Sequence, residues 1–238
     1  MAVYSSIVTF FQNGGAFMYP IVLILALGTA IAVERWVFLT MTMAKNKALW
    51  NSVTPFLKSG NLTGAMGVTS KSDAAIAQIM TYGLNRVRSA RRREDIEQAM
   101  EESLMEILPR LEKRTHYLAT FANMSTLAGL LGTIIGLIHA FTAVSNADPA
   151  DKAELLSASI SIGMNCTAFG LMVAIPLVLI HSLLQTKTTE IIDSLEMASV
   201  KFLNAITERA AGDAAPAPAP RGGGGDAPMP HAPVPRRA

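Results

Sequence analysis

The chain has 238 residues, 50% of them hydrophobic and only 16% charged, with 20 Lys and Arg against 18 Asp and Glu. With a mean hydropathy of +0.34, this composition excludes an ordinary soluble domain and indicates an integral membrane protein. A net charge of +2 is unremarkable, and the single cysteine, Cys166, excludes an intrachain disulfide and suits a small residue in a helix interface.

Residues 1–16 carry no basic residue, so the positive segment of a secretory signal is missing. Tyr4, Phe10 and Phe11 suit a short interfacial helix that Gly14 and Gly15 break. A first span is expected over 17–39, with Pro20 near its start, where a missing N–H costs little. Glu34 and Arg35 stand near its far end, followed by Trp36 at interfacial depth. Glu34 reads as a headgroup-level charge paired with a basic neighbour, with a place on an ion path as the alternative.

Residues 40–117 form the only sizeable region outside the spans and read as helices over about 44–58, 62–67 and 73–88, the first ended by the turn Ser59-Gly60-Asn61. A longer helix is expected from about 91, bent at Pro109 and running on into the next span because no glycine lies between Arg91 and Leu118. Arg91, Arg92, Arg93, Glu94, Glu97, Glu101 and Glu102 give it a charged face, opposed by Ile96, Met100, Leu104 and Leu108. Carboxylates interleave with the arginines, so this is a solvated face and no nucleic-acid partner is expected.

The second span, 118–144, holds no charged residue over 27 positions, more than the roughly 20 a bilayer requires. Thr126, Gly129, Thr133, Gly136 and Ala140 recur at steps of three and four, forming one small, partly hydroxylated stripe. Leu127, Leu130, Leu131, Ile134, Ile135, Leu137 and Ile138 occupy the other faces, and Gly132 with Gly136 makes a GxxxG pair that admits a close helix neighbour. Such a stripe faces protein or a pore.

A short loop, 145–154, leads to the third span, 155–184, in which Gly163, Thr167, Gly170 and Ala174 repeat the pattern. Ser157, Ser161 and Asn165 form a second polar line, and Pro176 joins the glycines as a packing residue. An amphipathic helix over 185–210, with Ile191, Leu195, Ala198 and Phe202 on one side, is expected to continue span three. The tail 211–238 has seven prolines and no means of burying a core, so disorder is expected.

Charge sets the orientation. Region 40–117 holds 12 Lys and Arg against 8 Asp and Glu, whereas loop 145–154 holds Lys152 alone against Asp148, Asp151 and Glu154. Basic residues mark the cytoplasm, so the N terminus and the short loop are expected in the periplasm, and 40–117 and the C terminus inside.

No enzyme, cofactor or metal signature is present: there is no Gly-rich phosphate loop, no Cys/His metal spacing, and no HExxH or GxSxG. The histidines are scattered, His116 and His181 near the inner boundary, His139 near the outer one and His231 in the tail. His139 either hydrogen-bonds locally or relays protons. Spans two and three hold no carboxylate, although ion passage usually needs an ionisable group at depth. Thr133, Thr167, Asn165 and the serines are what remains; if the protein conducts, the titrating group comes from a partner. Whether the two threonines solvate an ion or merely bond their own helix carbonyls is open on these residues alone.

Asn123–Phe141, NMSTLAGLLGTIIGLIHAF, resembles the second-span signature of the MotA/TolQ/ExbB proton channel family, and Cys166–Pro176, CTAFGLMVAIP, resembles its third-span signature. Glu34-Arg35 matches the pair that closes the family's first span, and the likeness covers about 17–205 with a length that favours the ExbB/TolQ branch. The resemblance implies an all-α membrane protein of three transmembrane helices with long cytoplasmic helical extensions, forming a homopentamer around a central pore in the bacterial inner membrane. It implies two ExbD/TolR-like single-span partners inside that pore, each with a transmembrane aspartate that carries the proton. It places Thr133 and Thr167 on the pore threonines; from their stripes Thr126, Asn165 and Ser161 are expected to line the pore with them, and Gly129, Gly132, Gly136, Gly163, Gly170 and Pro176 to pack helices. One departure is Ile162, where the family's ExbB and TolQ members usually carry a glutamate.

The expected function is a channel or stator subunit that turns proton motive force into work at the cell envelope: TonB-type import, Tol-type function or gliding. The rival is a non-conducting scaffold that stabilises a single-span partner among lipid; it would need the glycines but not the mid-depth threonines. An intramembrane enzyme lacks a nucleophile–base pair.

Overall fold

The computed structural model describes residues 10–11, 14–87, 92–145 and 147–213. Tyr4, Arg91, His231 and the tail beyond Asp213 lie outside the described residues. Among the described residues six helices of eight residues or more follow one another: α1 (Met18–Ser59), α2 (Leu62–Thr69), α3 (Ala75–Val87), α4 (Arg93–Glu112), α5 (Thr115–Ser145) and α6 (Lys152–Asp213). No strand occurs among the described residues. Three helices, α1, α5 and α6, are long and apolar enough to cross a membrane.

Helix α1 differs from the expectation of a span followed by a separate helix. Lysines and small residues between 40 and 47 do not interrupt backbone hydrogen bonding, so one 42-residue helix runs to Ser59. It stops at Gly60, whose φ of 69° is the left-handed conformation that glycine tolerates best. The Gly60 and Asn61 N–H groups donate to the Leu57 and Phe56 carbonyls at 3.1 and 2.9 Å. Asn61 then caps α2, its Oδ1 accepting from the Gly64 N–H at 2.8 Å.

The expected run of one helix through 91–118 into the second span is overturned. Helix α4 ends at Glu112, Lys113 takes an extended ψ of 135°, and Arg114 takes a φ of 67° before α5 begins. Pro109 sits inside α4 and does not end it. Tertiary contacts hold the break: Arg114 Nη1 donates to Glu34 Oε1 at 2.7 Å, and the buried Arg35 donates from Nη2 to the Leu111 carbonyl. The first span's charged end thus clamps the joint between α4 and α5.

Helix α6 runs unbroken for 62 residues, about 93 Å at 1.5 Å per residue, which joins the expected third span to the amphipathic helix. On the side away from the short loop it enters a bundle with α3, α4 and the second half of α1. Ile79, Met80, Met100, Ile191, Leu195 and Phe202 are fully or nearly fully buried there. The bundle closes tightly at Gly83, where a Cβ would meet Met100 Sδ and Phe202 Cε1, each at 2.9 Å. Asn46, on α1, reaches into this core and accepts from the Ile76 N–H at 3.3 Å.

Candidate functional site

In the apolar half of the molecule α5 and α6 lie antiparallel with their backbones nearly in contact. Gly129 faces Gly170, Gly136 faces Gly163, and a Cβ on any of the four would stand 3.3 Å or less from backbone atoms of the other helix. Without side chains at these positions the helices approach more closely than Leu or Ile would allow. The glycines on the two spans therefore pack against each other within one chain. Gly132 accommodates Cys166, which is buried, and Gly28 of α1 accommodates Leu177.

The buried line on α5 runs through Leu118, Ala122, Ser125, Gly129, Gly132, Gly136 and Ala140. Ser125 is fully buried, and its Oγ donates to the Gly170 carbonyl at 2.9 Å. Sequence reading missed this serine because Thr126, one position on, fits the same three-and-four spacing. The signal was available: Ser125 is seven residues before Gly132 and four before Gly129, on the GxxxG face.

Thr133 and Thr167 meet at the edge of this seam. Their hydroxyl oxygens are 3.0 Å apart. Thr167 Oγ1 donates across the interface to the Gly129 carbonyl at 2.8 Å. Thr133 Oγ1 donates within its own helix to the Leu130 carbonyl at 2.8 Å. Both residues are half-buried, so each hydroxyl retains acceptor capacity beside an open flank. With one proton already directed at Gly129, the pair is polarised: Thr133 can donate either to Leu130 or to Thr167.

The other sequence-predicted residues do not converge on the pair. Thr126 is exposed and donates to the Ala122 carbonyl at 3.1 Å. Asn165 is half-buried and Ser161 exposed; two and six positions before Thr167 they fall on other sides of α6. Pro176 lies inside α6 without ending it. Ile162 and His139 line a separate cavity of about 270 Å³ near the short-loop end, together with Gly15, Phe17 and Ser159. Glu34 is ion-paired to Arg114, the basic neighbour expected for it. Phe10 and Phe11 pack edge-on against the Phe169 ring at 6.2 and 5.1 Å between centroids.

Much of the apolar half is uncovered. Only 17% of the most apolar stretch containing α5 is buried, and Leu127, Leu130, Ile134, Ile138 and Phe141 are exposed. In water this would be untenable; three such helices define a multi-pass helical membrane protein. No group of three or more His, Cys, Asp or Glu able to hold a metal occurs among the described residues.

Residues 71–197, more than half of the chain, match the model of the MotA/TolQ/ExbB proton channel family. The chain belongs to that family. A homolog of the biopolymer transport protein ExbB from Methanothermobacter thermautotrophicus is 26% identical over 196 residues, 82% of this chain and 68% of that protein. The Tol-Pal system protein TolQ of Haemophilus influenzae is 34% identical over 97 residues, 41% of this chain and 40% of its own length. The biopolymer transport protein ExbB of Aquifex aeolicus is 31% identical over 80 residues, 34% of this chain and 53% of its own.

Proposed function

We propose that the protein is the channel or stator subunit of a proton-driven motor of the inner membrane, working with an ExbD/TolR-like single-span partner to energise an envelope process. The observation that carries this reading is the Thr133–Thr167 hydroxyl pair, 3.0 Å apart on two spans that hold no carboxylate of their own between 118–144 and 155–184. Membership of a proton channel family and similarity to ExbB and TolQ support it. The exposed apolar faces of α1, α5 and α6 suit an assembly of several copies, for which a pentamer enclosing two partner helices is the proposed form. The charge asymmetry supports an orientation with the helical bundle in the cytoplasm and the short loop in the periplasm.

In this mechanism the proton rides on an aspartate of the partner helix. The neutral acid donates to a threonine oxygen at the open flank of the seam. When the aspartate ionises, Thr133 rotates its proton from the Leu130 carbonyl to the carboxylate, and that carbonyl keeps its helix hydrogen bond. The hydroxyl pair thereby lowers the cost of a charge at depth without titrating. Each charge that crosses the potential supplies about 2.3 kcal/mol per 100 mV, so a working cycle needs several.

A scaffold reading draws on one observation: both hydroxyls already have carbonyl partners. Thr133→Val and Thr167→Val, each tested with the partner co-expressed, separate the two. Under the channel reading the variants assemble, as judged by pull-down of the partner, but lose proton flux. Normal flux in both would leave the threonines as packing residues, and absence of flux through the wild-type complex would favour the scaffold.

A further inference from the structure

A second polar site lies where α4, α5 and α6 meet, at the bundle end of the apolar region. Glu112 of α4, Thr115 and His116 of α5, and His181, Gln185 and Thr188 of α6 line a cavity of about 290 Å³. Thr115 is 6% exposed and its Oγ1 is buried without a hydrogen-bond partner. A buried hydroxyl left unpaired costs about 1–3 kcal/mol, whereas a polar cavity of this size holds several waters at roughly 30 Å³ each. Thr188 is also buried, with its hydroxyl on the Leu184 carbonyl at 3.0 Å. Two imidazoles and one carboxylate therefore share a pocket with room for water.

From the pocket a line of polar residues leads toward the threonine pair along the outside of α5. His116, Thr120, Asn123 and Thr126 follow one another at steps of four, three and three, all exposed, and Thr133 is one heptad further on. The direct line along the seam is closed by Leu118, Ala122 and Ser125, none more than 1% exposed. Toward the bundle α5 thus offers its polar side chains on this outer stripe, and the stripe ends at His116.

We propose that this cavity is the proton-release vestibule of the channel, with His116 and His181 taking protons from water in the stripe and passing them to bulk water on the bundle side. The inference rests on the conduction reading above. In each step an imidazole nitrogen binds a proton brought by hydronium, leaving water, and the same nitrogen later returns a proton to bulk water. The titratable groups facing the two rings are Glu112, Tyr117 and each other; the Glu34–Arg114 ion pair occupies the neighbouring turn. His116 is further held by the Tyr117 ring, 4.2 Å away between centroids.

The test uses the full chain with its partner in lipid vesicles, reading proton flux with a pH-sensitive dye. The double variant His116→Gln/His181→Gln is expected to lose about a hundredfold in flux, the low end of what positioned proton-transfer groups contribute. Free imidazole supplied on the bundle side is expected to restore it. Unchanged flux in the double variant, while Thr133→Val abolishes flux, overturns the vestibule and leaves the threonine mechanism standing; normal flux in both ends the vestibule and the threonine mechanism together. Loss of flux that imidazole does not rescue also overturns the vestibule, because the histidines would then be structural. Should the double variant fail to assemble, His181→Glu decides: with a carboxyl in place of the imidazole the flux–pH profile is expected to move to more acidic pH, and an unmoved profile refutes the proposal.

Discussion

Replacing Gly170 with alanine tests the seam that positions the two threonines. A Cβ there would stand 2.7 Å from the Ser125 carbonyl oxygen and 3.1 Å from Gly129 Cα. Ordinary contact begins near 3.4 Å, so α5 must withdraw by about 0.7 Å, and the obstacle is backbone, which has no rotamer to change. Overpacking of this kind costs about 1–3 kcal/mol. The withdrawal also stretches the Ser125–Gly170 hydrogen bond of 2.9 Å, worth about 0.6 kcal/mol between membrane helices. The sum is about 2–4 kcal/mol, which at roughly 2–4 °C per kcal/mol for a chain of this size lowers the melting temperature by about 5–15 °C. The assay is thermal unfolding of the detergent-purified protein, with Gly67→Ala as control. Gly67 lies inside α2 with nothing within 4 Å of a new Cβ, so alanine there is expected to stabilise by about 0.5–1 kcal/mol. If Gly170→Ala melts with the wild type while the control behaves as stated, the two helices are not in backbone contact and the threonine geometry falls with them.

Arg114→Gly is expected to lie within about 1 kcal/mol of the wild type, because relief of the left-handed backbone offsets loss of a half-exposed ion pair; Arg114→Ala is expected to be about 1–2 kcal/mol less stable than the glycine variant in the same thermal assay. Cys166, 1% exposed and seated on Gly132, is expected to resist maleimide in the folded protein, so Met197→Cys, at an exposed position, gives one adduct by mass spectrometry rather than two. Truncation after Asp213 is expected to leave assembly and proton-driven work unchanged, since the Pro/Ala/Gly tail has little apolar surface to pack; loss of the complex would identify the tail as a docking segment.

The apolar runs near 17–39, 118–144 and 155–184 were legible because span length and lack of charge are properties of the local sequence. The continuity of α6 was legible for the same reason: nothing between Leu184 and Phe202 breaks a helix. The break at Lys113–Arg114 was not. Neither residue is a helix breaker, and the contacts that hold the joint come from Glu34 and Arg35, about 80 positions away. Thr133 and Thr167 were individually visible as threonines among glycines, but their hydroxyl pairing depends on helix register. Register turns on which small residues enter the seam, and Ser125 is told from Thr126 only by its spacing to the GxxxG pair Gly132 and Gly136. The vestibule histidines stand 65 residues apart and looked scattered; only the fold brings them to one cavity.

The unbroken course of α6 makes it a lever. Thr167 and Phe202 lie on the same helix 35 residues apart, about 53 Å at 1.5 Å per residue. A tilt of about 5° at the threonine moves the far end by about 4–5 Å at that length, comparable with the strand-to-strand distance in a sheet. Small displacements beside the threonine pair are thus amplified in the bundle, where Phe202 meets Gly83 with no slack to absorb them.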